Sequence, residues 1–449
     1  METSAIILAA GSGTRMKSAK PKVAHELLGK PLVRWVVDAA REAGVGTVIS
    51  VLGHGIDVVR PLVEHDTQVV VQQQRNGTAD AVNSAREACE GMTGSLFVLS
   101  GDCPLIRPET IAGLARAREE ADAAVAVLTM EAENPFGYGR IIRDAQGQVE
   151  CIVEQKDCTP EQAAVTECNS GFYCFDAQYL FDALNRVSNE NAQGEFYLTD
   201  VIGIARADGR SVVALCAEDP EECLGINTRL QLSVAAKVMQ RRMNTAFMLA
   251  GVTMLDPETV WIGPGVTIEQ DVELLPQTML MGKTSVASGS VIGPNTRLTD
   301  TVVSHDCVLD ETVAVEAVIE DGCHCGPRAY LRPQTRLCEG AKAGTHVEIK
   351  KSTIGKGSKV PHLSYIGDTT MGDGVNIGAG SITCNYDGQN KWPTVIGDNT
   401  FIGSDTMMVA PVTIGDDALV GAGSVITADV PDGALALGRA RQIIKTQHK

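Results

Sequence analysis

Several things are scarce in this 449-residue sequence, and each scarcity removes a class of protein. Aromatic residues are only 4% of the chain. That is low for a β-sandwich core and natural for a narrow interior filled by Ile, Val and Ala. Positive charge is short as well: 38 Lys and Arg against 56 Asp and Glu, a net charge of −18. A nucleic-acid surface needs clustered cations, so nucleic acid is not expected as a partner. A small phosphorylated ligand held by a few placed cations remains open. No apolar run approaches the roughly 20 residues of a membrane span. Met1-Glu2-Thr3-Ser4 also lacks the basic start of a secretory signal. The 13 cysteines are odd in number and scattered, which argues for reduced thiols in a cytoplasmic protein rather than a disulfide framework. Cys323-His324-Cys325 has metal-binding residue types, but no second pair follows at zinc spacing.

The most ordered pattern lies near the C-terminus. Ile396, Ile402, Met408, Ile414, Val420 and Ile426 are six residues apart, and glycine follows four of them. With 45 glycines in 449 residues, chance supplies fewer than one. Thr400, Thr406, Val412, Ala418 and Ser424 stand four residues after successive repeat positions. A period of six fits neither an isolated helix nor a flat two-faced strand. It fits a coil of short parallel strands joined by tight turns, whose rungs must stack to bury their cores. The coil is expected to begin near Asp256-Pro257, with irregular early rungs of the kind terminal repeats show. The interruption between Ile377 and Ile396, holding Asn385, Tyr386 and Lys391, is expected to project as a loop. A three-sided turn is 18 residues long, so Arg332, Lys350 and Asn385 are expected along one edge.

The N-terminal half reads differently. Ala5–Ala9 is a buried strand that runs into Gly11-Ser12-Gly13-Thr14-Arg15-Met16. Met16 stands where a dinucleotide fingerprint wants its third glycine, and the Gly-Lys-Ser/Thr of a P-loop is missing too. What remains is a glycine loop followed by Arg15, Lys17, Lys20 and Lys22, suited to phosphates. An ordinary strand-to-helix turn is the competing reading. Further on, the pattern predicts a helix over Pro31–Glu42 and strands over Thr47–Leu52 and Val69–Gln72. It then predicts a helix over Gly77–Cys89 and a strand over Ser95–Ser100. This alternation implies a mostly parallel sheet covered by helices, with the ligand beyond the carboxyl ends of the strands. Gly11, Gln72, Gly77 and Asp102 all fall there. Asp102 is either a turn cap or a ligand for Mg²⁺, which takes carboxylate and phosphate oxygens together. A final helix, Asn227–Leu249, is expected to pack through Leu230, Val234, Met239, Met243 and Phe247. The expected domains are 1–226, a linker helix 227–250, and the coil over 251–449.

Leu8-Ala9-Ala10-Gly11-Ser12-Gly13-Thr14-Arg15-Met16 with Pro21-Lys22 resembles the opening of sugar-phosphate nucleotidyltransferases. Gly77-Thr78, Gly137-Tyr138-Gly139-Arg140, Glu154-Gln155-Lys156-Asp157 and Gly225-Ile226-Asn227 narrow the resemblance. So do Val347-Glu348-Ile349-Lys350-Lys351, His362-Leu363-Ser364-Tyr365 and Asn376-Ile377-Gly378-Ala379-Gly380 in the coil. In this order, over nearly the whole chain, they resemble the bacterial bifunctional N-acetylglucosamine-1-phosphate uridyltransferase/glucosamine-1-phosphate N-acetyltransferases. The resemblance implies an α/β nucleotidyltransferase domain with a Rossmann-like sheet, and a C-terminal left-handed parallel β-helix that forms homotrimers with active sites shared between neighbours. It implies two reactions that make UDP-N-acetylglucosamine, a peptidoglycan and lipopolysaccharide precursor.

By resemblance, Leu8, Ala9, Ala10, Gly11, Gly13, Arg15 and Lys22 hold UTP, the last two acting directly on its phosphates. Gln72, Gly77 and Thr78 contact the uracil, and Gly139, Glu154 and Asn169 the sugar. Asp102 and Asn227 hold Mg²⁺. In the coil, His362 is the general base of acetyl transfer and Glu348 orients it. Arg332, Lys350, Tyr365, Asn376 and Lys391 bind glucosamine 1-phosphate. Ala379, Asn385, Tyr386, Ser404, Ala422 and Arg439 line the acetyl-CoA channel. Taken singly, His362 is also an ordinary turn histidine. Two departures bear on nucleotide preference: Ser100 replaces the family's Tyr, and Ala79-Asp80 replaces its small residue and His. Two alternatives are a nucleotidyltransferase whose coil only oligomerises or regulates, and a non-catalytic sugar-nucleotide sensor.

Overall fold

The computed structural model describes residues 3–74 and 76–445; Met1, Glu2, Arg75 and the last residues of the tail lie outside it. Two compact units divide at Met239 and Gln240, inside the helix Arg229–Leu249.

The first unit is built on a nine-stranded sheet. Its main path runs Val212–Cys216, Val125–Glu131, Glu167–Asp176, Ser95–Ser100, Thr3–Ala9, Thr47–Leu52, Gln68–Val71. All of these are parallel except Glu167–Asp176, which is antiparallel to both neighbours. A hairpin, Arg140–Arg143 with Val149–Val153, hangs from that strand. Ile6, Ile7, Ile49, Val98 and Leu99 are fully buried because helices cover both faces. The strand order reverses beside Thr3–Ala9, so the segments after Ala9 and after Ser100 open a crevice at adjacent strand ends.

Ser95–Ser100 and Thr47–Leu52 form as predicted, and the helix after Pro31 spans Leu32–Glu42. The third strand is Gln68–Val71, one residue earlier than expected. The helix expected over Gly77–Cys89 is broken into an α-helix, Thr78–Asn83, and a 3₁₀ turn, Glu87–Cys89. At the break, the Ser84 hydroxyl donates to the Asp80 carbonyl at 3.0 Å, competing with helix continuation. Ala79, Val82, Ala85 and Cys89 are nevertheless all buried.

The second unit is a left-handed parallel β-helix with three sheets of 11, 10 and 9 strands. One column of inward side chains fills it, from Val252 and Ile262 to Ile414 and Ile426. The coil's first strand is Thr253–Met254, just before Asp256-Pro257 and within the expected span 251–449. The coil's early rungs are more regular than the sequence suggested. Ile262, Leu274, Leu280, Val286, Ile292 and Leu298 occupy the buried positions in step. Apparent irregularity came from turns one residue short, such as Leu298 to Val303 and Ile366 to Met371.

Glycine follows the inward residue for a reason visible between rungs. A Cβ on Gly397 would lie 2.3 Å from Asp416 Oδ1. That carboxylate accepts from the Asp398 N–H at 2.7 Å, as Asp398 does from Asp373 one rung earlier. The small residues of the second series are buried as well, and the Thr400 hydroxyl donates to the Gly415 carbonyl at 2.7 Å.

The helix Arg229–Leu249 has less of an apolar stripe than its spacing promised. Leu230 and Val234 are exposed, whereas Met243 and Phe247 pack on the coil's core. Its C-terminal half covers the first rungs: Gln240 Nε2 donates to the Val260 carbonyl at 2.6 Å and Asn244 Nδ2 to that of Pro257 at 2.7 Å. Stacked repeats need such a cap over an otherwise open end.

Candidate active sites

The crevice of the first unit opens into a cavity of about 770 Å³. Leu8, Ala9, Ala10, Gly11, Lys22, Gln72, Gly77, Thr78 and Asp102 all line it, together with Ser12, Ser100 and Glu195. Residues from the ends of three strands thus meet where the topology predicts a ligand. The turn at Gly77 is fastened to a distant loop: Phe196 N–H donates to the Asn76 carbonyl at 2.7 Å and Ala79 N–H to that of Phe196 at 3.0 Å. Glu195 belongs to this loop, where no motif marked it.

Charge is focused at one wall. Lys22 Nζ pairs with Asp102 Oδ2 and donates to Asn227 Oδ1 at 2.9 Å. Arg15 Nη2 donates to the same Asn227 oxygen at 2.9 Å. Asn227 is free to turn this way because Thr228 begins the helix, its hydroxyl accepting from Gln231 N–H at 3.1 Å. Two hard oxygens therefore converge on one cationic point. No group of three or more His, Cys, Asp or Glu able to hold a metal occurs among the described residues. Asp102 and Asn227 fit a divalent ion that takes few protein ligands and completes its shell with water and phosphate oxygens.

Gly139, Glu154 and Asn169 form a second cluster in this unit. A Cβ on Gly139 would stand 3.5 Å from both Glu154 Oε1 and Asn169 Cβ. Burial raises the Glu154 carboxyl above the ordinary range; the Thr199 hydroxyl, at 3.4 Å, opposes this, and nearby Asp157, Asp200 and Glu195 reinforce it. Asn169 Oδ1 accepts from Gly171 N–H at 3.1 Å, and Gly171 in turn receives a 3.4 Å hydrogen bond from the Ser100 hydroxyl. Through Gly171 the cluster abuts the cavity wall. Ser100, one of the two departures, is thus a wall residue of the cavity. The other, Asp80, accepts from Gln72 Nε2 at 2.8 Å.

In the coil, two corners frame one strand face. Arg332, Lys350, Asp368 and Asn385 occupy one edge, as the spacing predicted for three of them. Lys350 pairs with Gly367 across the ladder, and Asp368 N–H donates to the Lys350 carbonyl at 3.0 Å. Lys350 Nζ lies 3.6 Å from Asp368 Oδ2, and the Asn385 amide donates to the same carboxylate. Lys391, on the projecting loop, meets Lys350. Their contact and mutual repulsion hold Lys391 below the ordinary lysine range. Asp368 escaped the sequence reading although it stands 18 residues after Lys350, one full turn. A Cβ on Gly367 would come within 2.5 Å of Tyr365 Oη and 2.7 Å of Asn385 Nδ2, so glycine opens this corner.

At the other corner His362 pairs with Thr345, and the register Lys359 to Asn376 carries His362 opposite Ala379. Above them the Asp405 N–H donates to the Ala379 carbonyl and the Gly423 N–H to that of Ser404. Arg439 Nη1 donates to the Ala422 carbonyl at 2.9 Å. Ala379, Ser404, Ala422 and Arg439 thus form one vertical line. Tyr386, on the loop, is exposed and donates to the Gly388 carbonyl at 2.6 Å. His362 is exposed and makes no side-chain hydrogen bond among the described residues. Glu348 accepts from Arg332 Nη1 at 2.8 Å, and the structure does not join it to His362. Cys323 and Cys325 point into the core while His324 between them faces out, so the three do not converge on one ion.

A sheet of this topology with a phosphate-suited crevice, joined to a hexapeptide coil, defines a nucleotidyltransferase linked to an acyltransferase-type module. Residues 5–171 match the MobA-like NTP transferase domain, and residues 393–428 the hexapeptide repeat of succinyl-transferase. The chain is 50% identical over 444 residues to the bifunctional protein GlmU of Pelotomaculum thermopropionicum, covering 99% of this chain and 97% of that protein. It is 47% identical over 443 residues to the protein of that name from Carboxydothermus hydrogenoformans, covering 99% of each. The counterpart from Trichlorobacter lovleyi is 45% identical over 447 residues, 99% of this chain and 97% of its own. The chain belongs to the family of bifunctional GlmU proteins.

Proposed function

We propose that this bifunctional enzyme makes UDP-N-acetylglucosamine by two transfers, one in each compact unit. In the coil, the amine of glucosamine 1-phosphate attacks the thioester carbonyl of acetyl-CoA. An N–C bond forms, the C–S bond breaks, the amine proton passes to His362, and CoA leaves. An exposed imidazole with no hydrogen-bonding commitment among the described residues suits that task. Arg332, Lys350, Tyr365, Asn376 and Lys391 bind the sugar phosphate. Ala379, Asn385, Tyr386, Ser404, Ala422 and Arg439 take acetyl-CoA. Glu348 orients His362 once the substrate phosphate draws Arg332 away. The site is completed within a homotrimer.

In the first unit, the phosphate of N-acetylglucosamine 1-phosphate attacks the α-phosphorus of UTP and pyrophosphate leaves. No protein nucleophile is needed; aligning two anions and offsetting their charge is the work. Arg15, Lys22 and the loop from Leu8 to Gly13 hold phosphates. Gln72, Gly77 and Thr78 take the uracil, and Gly139, Glu154 and Asn169 the sugar. Mg²⁺, held by Asp102 and Asn227, supplies charge neutralisation when bound. The functional domains we assign are 1–226 and 251–449, joined by 227–250. No helix among the described residues is long and apolar enough to cross a membrane, and we place the enzyme in the cytoplasm.

The convergence of Lys22, Asp102 and Asn227 beside the strand-end cavity carries the uridylyl reading. The test incubates the protein with glucosamine 1-phosphate, acetyl-CoA, UTP and Mg²⁺ while free CoA and pyrophosphate are followed separately. Release of both is expected. Pyrophosphate released only with pre-acetylated sugar, and never CoA, would instead select a nucleotidyltransferase whose coil merely oligomerises.

A further inference from the structure

Gln72 follows the strand Gln68–Val71, its N–H continuing the sheet to the Leu52 carbonyl at 2.8 Å. Its side chain is buried and lines the nucleotide cavity. The two ends of a carboxamide look alike in shape, so its orientation must come from its partners. Here one partner decides it. Gln72 Nε2 donates to Asp80 Oδ2 at 2.8 Å, and a carboxylate only accepts. The nitrogen is therefore the end that faces Asp80. Asp80 itself does not line the nucleotide cavity. It borders a separate open groove with Val70, Gln73, Gln74 and Asn83 on the far side of Gln72.

We propose that Asp80 is a positioning residue for base selection, holding the Gln72 amide nitrogen to the rear so that Oε1 faces the nucleobase. This rests on the uridylyl-transfer reading of the cavity. An acceptor at that point matches the N3–H donor of uracil. It opposes the N3 acceptor of cytosine, leaving two lone pairs facing each other. Asp80 touches no substrate; its effect passes through Gln72.

The test is Asp80→Asn, equal in size but able to donate, which frees the Gln72 amide to turn over. Pyrophosphate release with N-acetylglucosamine 1-phosphate is measured against UTP and CTP, and UDP and CDP binding is measured by calorimetry. The ratio of kcat/KM for UTP over CTP is expected to fall about tenfold, the size of one hydrogen bond gained or lost. The change should appear in KM rather than kcat. In a Gln72→Leu background, itself of low preference, Asp80→Asn should leave the ratio unchanged, because the effect acts through Gln72. A folded Asp80→Asn enzyme that keeps the wild-type ratio, or weakens both nucleotides equally, overturns the proposal. Should Asp80→Asn fail to fold, Gln72→Leu alone decides: an undiminished preference for UTP rules out selection by Oε1. Wild-type protein that binds no UDP and releases no pyrophosphate from UTP overturns the uridylyl reading itself. That outcome is distinct from a selective enzyme indifferent to Asp80.

Discussion

Lys22 stands between Asp102 Oδ2 and Asn227 Oδ1, and Arg15 donates to the second of these oxygens. Asp102→Ala removes the only carboxylate of that group. Uridylyl transfer is expected to fall ~10²–10³-fold, as when one contact to developing charge is lost, and acetyl transfer to hold. His362→Ala should do the converse, lowering acetyl transfer ~10²–10⁴-fold while sparing pyrophosphate release. Loss of both activities in either well-folded variant would sink the two-centre assignment. Glu154 offers a pH test. Its ordinary carboxyl value is 4.5, and burial raises it in the folded chain. Between those two values the native state holds a proton that the unfolded chain has released, so stability falls as pH climbs through the window. Glu154→Gln carries no such penalty. Urea midpoints should therefore shift in favour of Gln as pH rises from about 4.5; a constant difference across pH would show that burial costs this carboxylate nothing.

At the scale of elements, the coil's late rungs were legible because three residue types recur together. Ile396-Gly397-Asp398 and Ile414-Gly415-Asp416 put an aliphatic residue inward and an Asp on the backbone of the preceding rung, with no room for a Cβ. The early rungs lack that signature. Their narrow interior accepts Leu298, Val303, Ala314 or Cys325 alike, and turns one residue short hide the period. Strand ends such as Ser95–Ser100 were legible from apolar runs closed by glycine. Glu195 and the partnership of Asp80 with Gln72 were not, because each depends on neighbours brought near only by folding. Gly397→Ala would place its Cβ 2.3 Å from Asp416 Oδ1 and 2.6 Å from Asp416 N. One rung must shift, at an expected cost of about 1–3 kcal/mol. Gly203, in the helix Asp200–Ala207, has open space around it, so Gly203→Ala should be neutral or stabilise by up to ~1 kcal/mol. Urea unfolding of both variants checks the contrast. Equal effects would mean that the Gly-Asp contact between rungs is not what fixes glycine there.

On the scale of the whole molecule, the two centres differ in how complete one chain makes them. The nucleotide cavity is lined by residues of a single unit, with Lys22 and Arg15 already placed on Asp102 and Asn227. At the coil's candidate site His362 is exposed and free of side-chain partners among the described residues, and Tyr386 is exposed as well. Beside it a row of apolar side chains stands outward on one sheet face. Phe401 pairs with Leu419 and Leu419 with Leu435, exposed by 47%, 45% and 62%. An outward apolar row of this kind suits contact with a second copy of the coil, as the proposed homotrimer requires. If a neighbour's coil both covers that row and completes the acetyl centre, breaking the contact must separate the two activities. Phe401→Glu combined with Leu419→Glu is expected to convert the proposed trimer to monomers in sedimentation velocity. Acetyl transfer should fall by about 10²-fold, as expected for a centre that loses its positioning groups, while uridylyl transfer persists. A monomeric variant with undiminished acetyl transfer would place the whole acetyl centre within one chain.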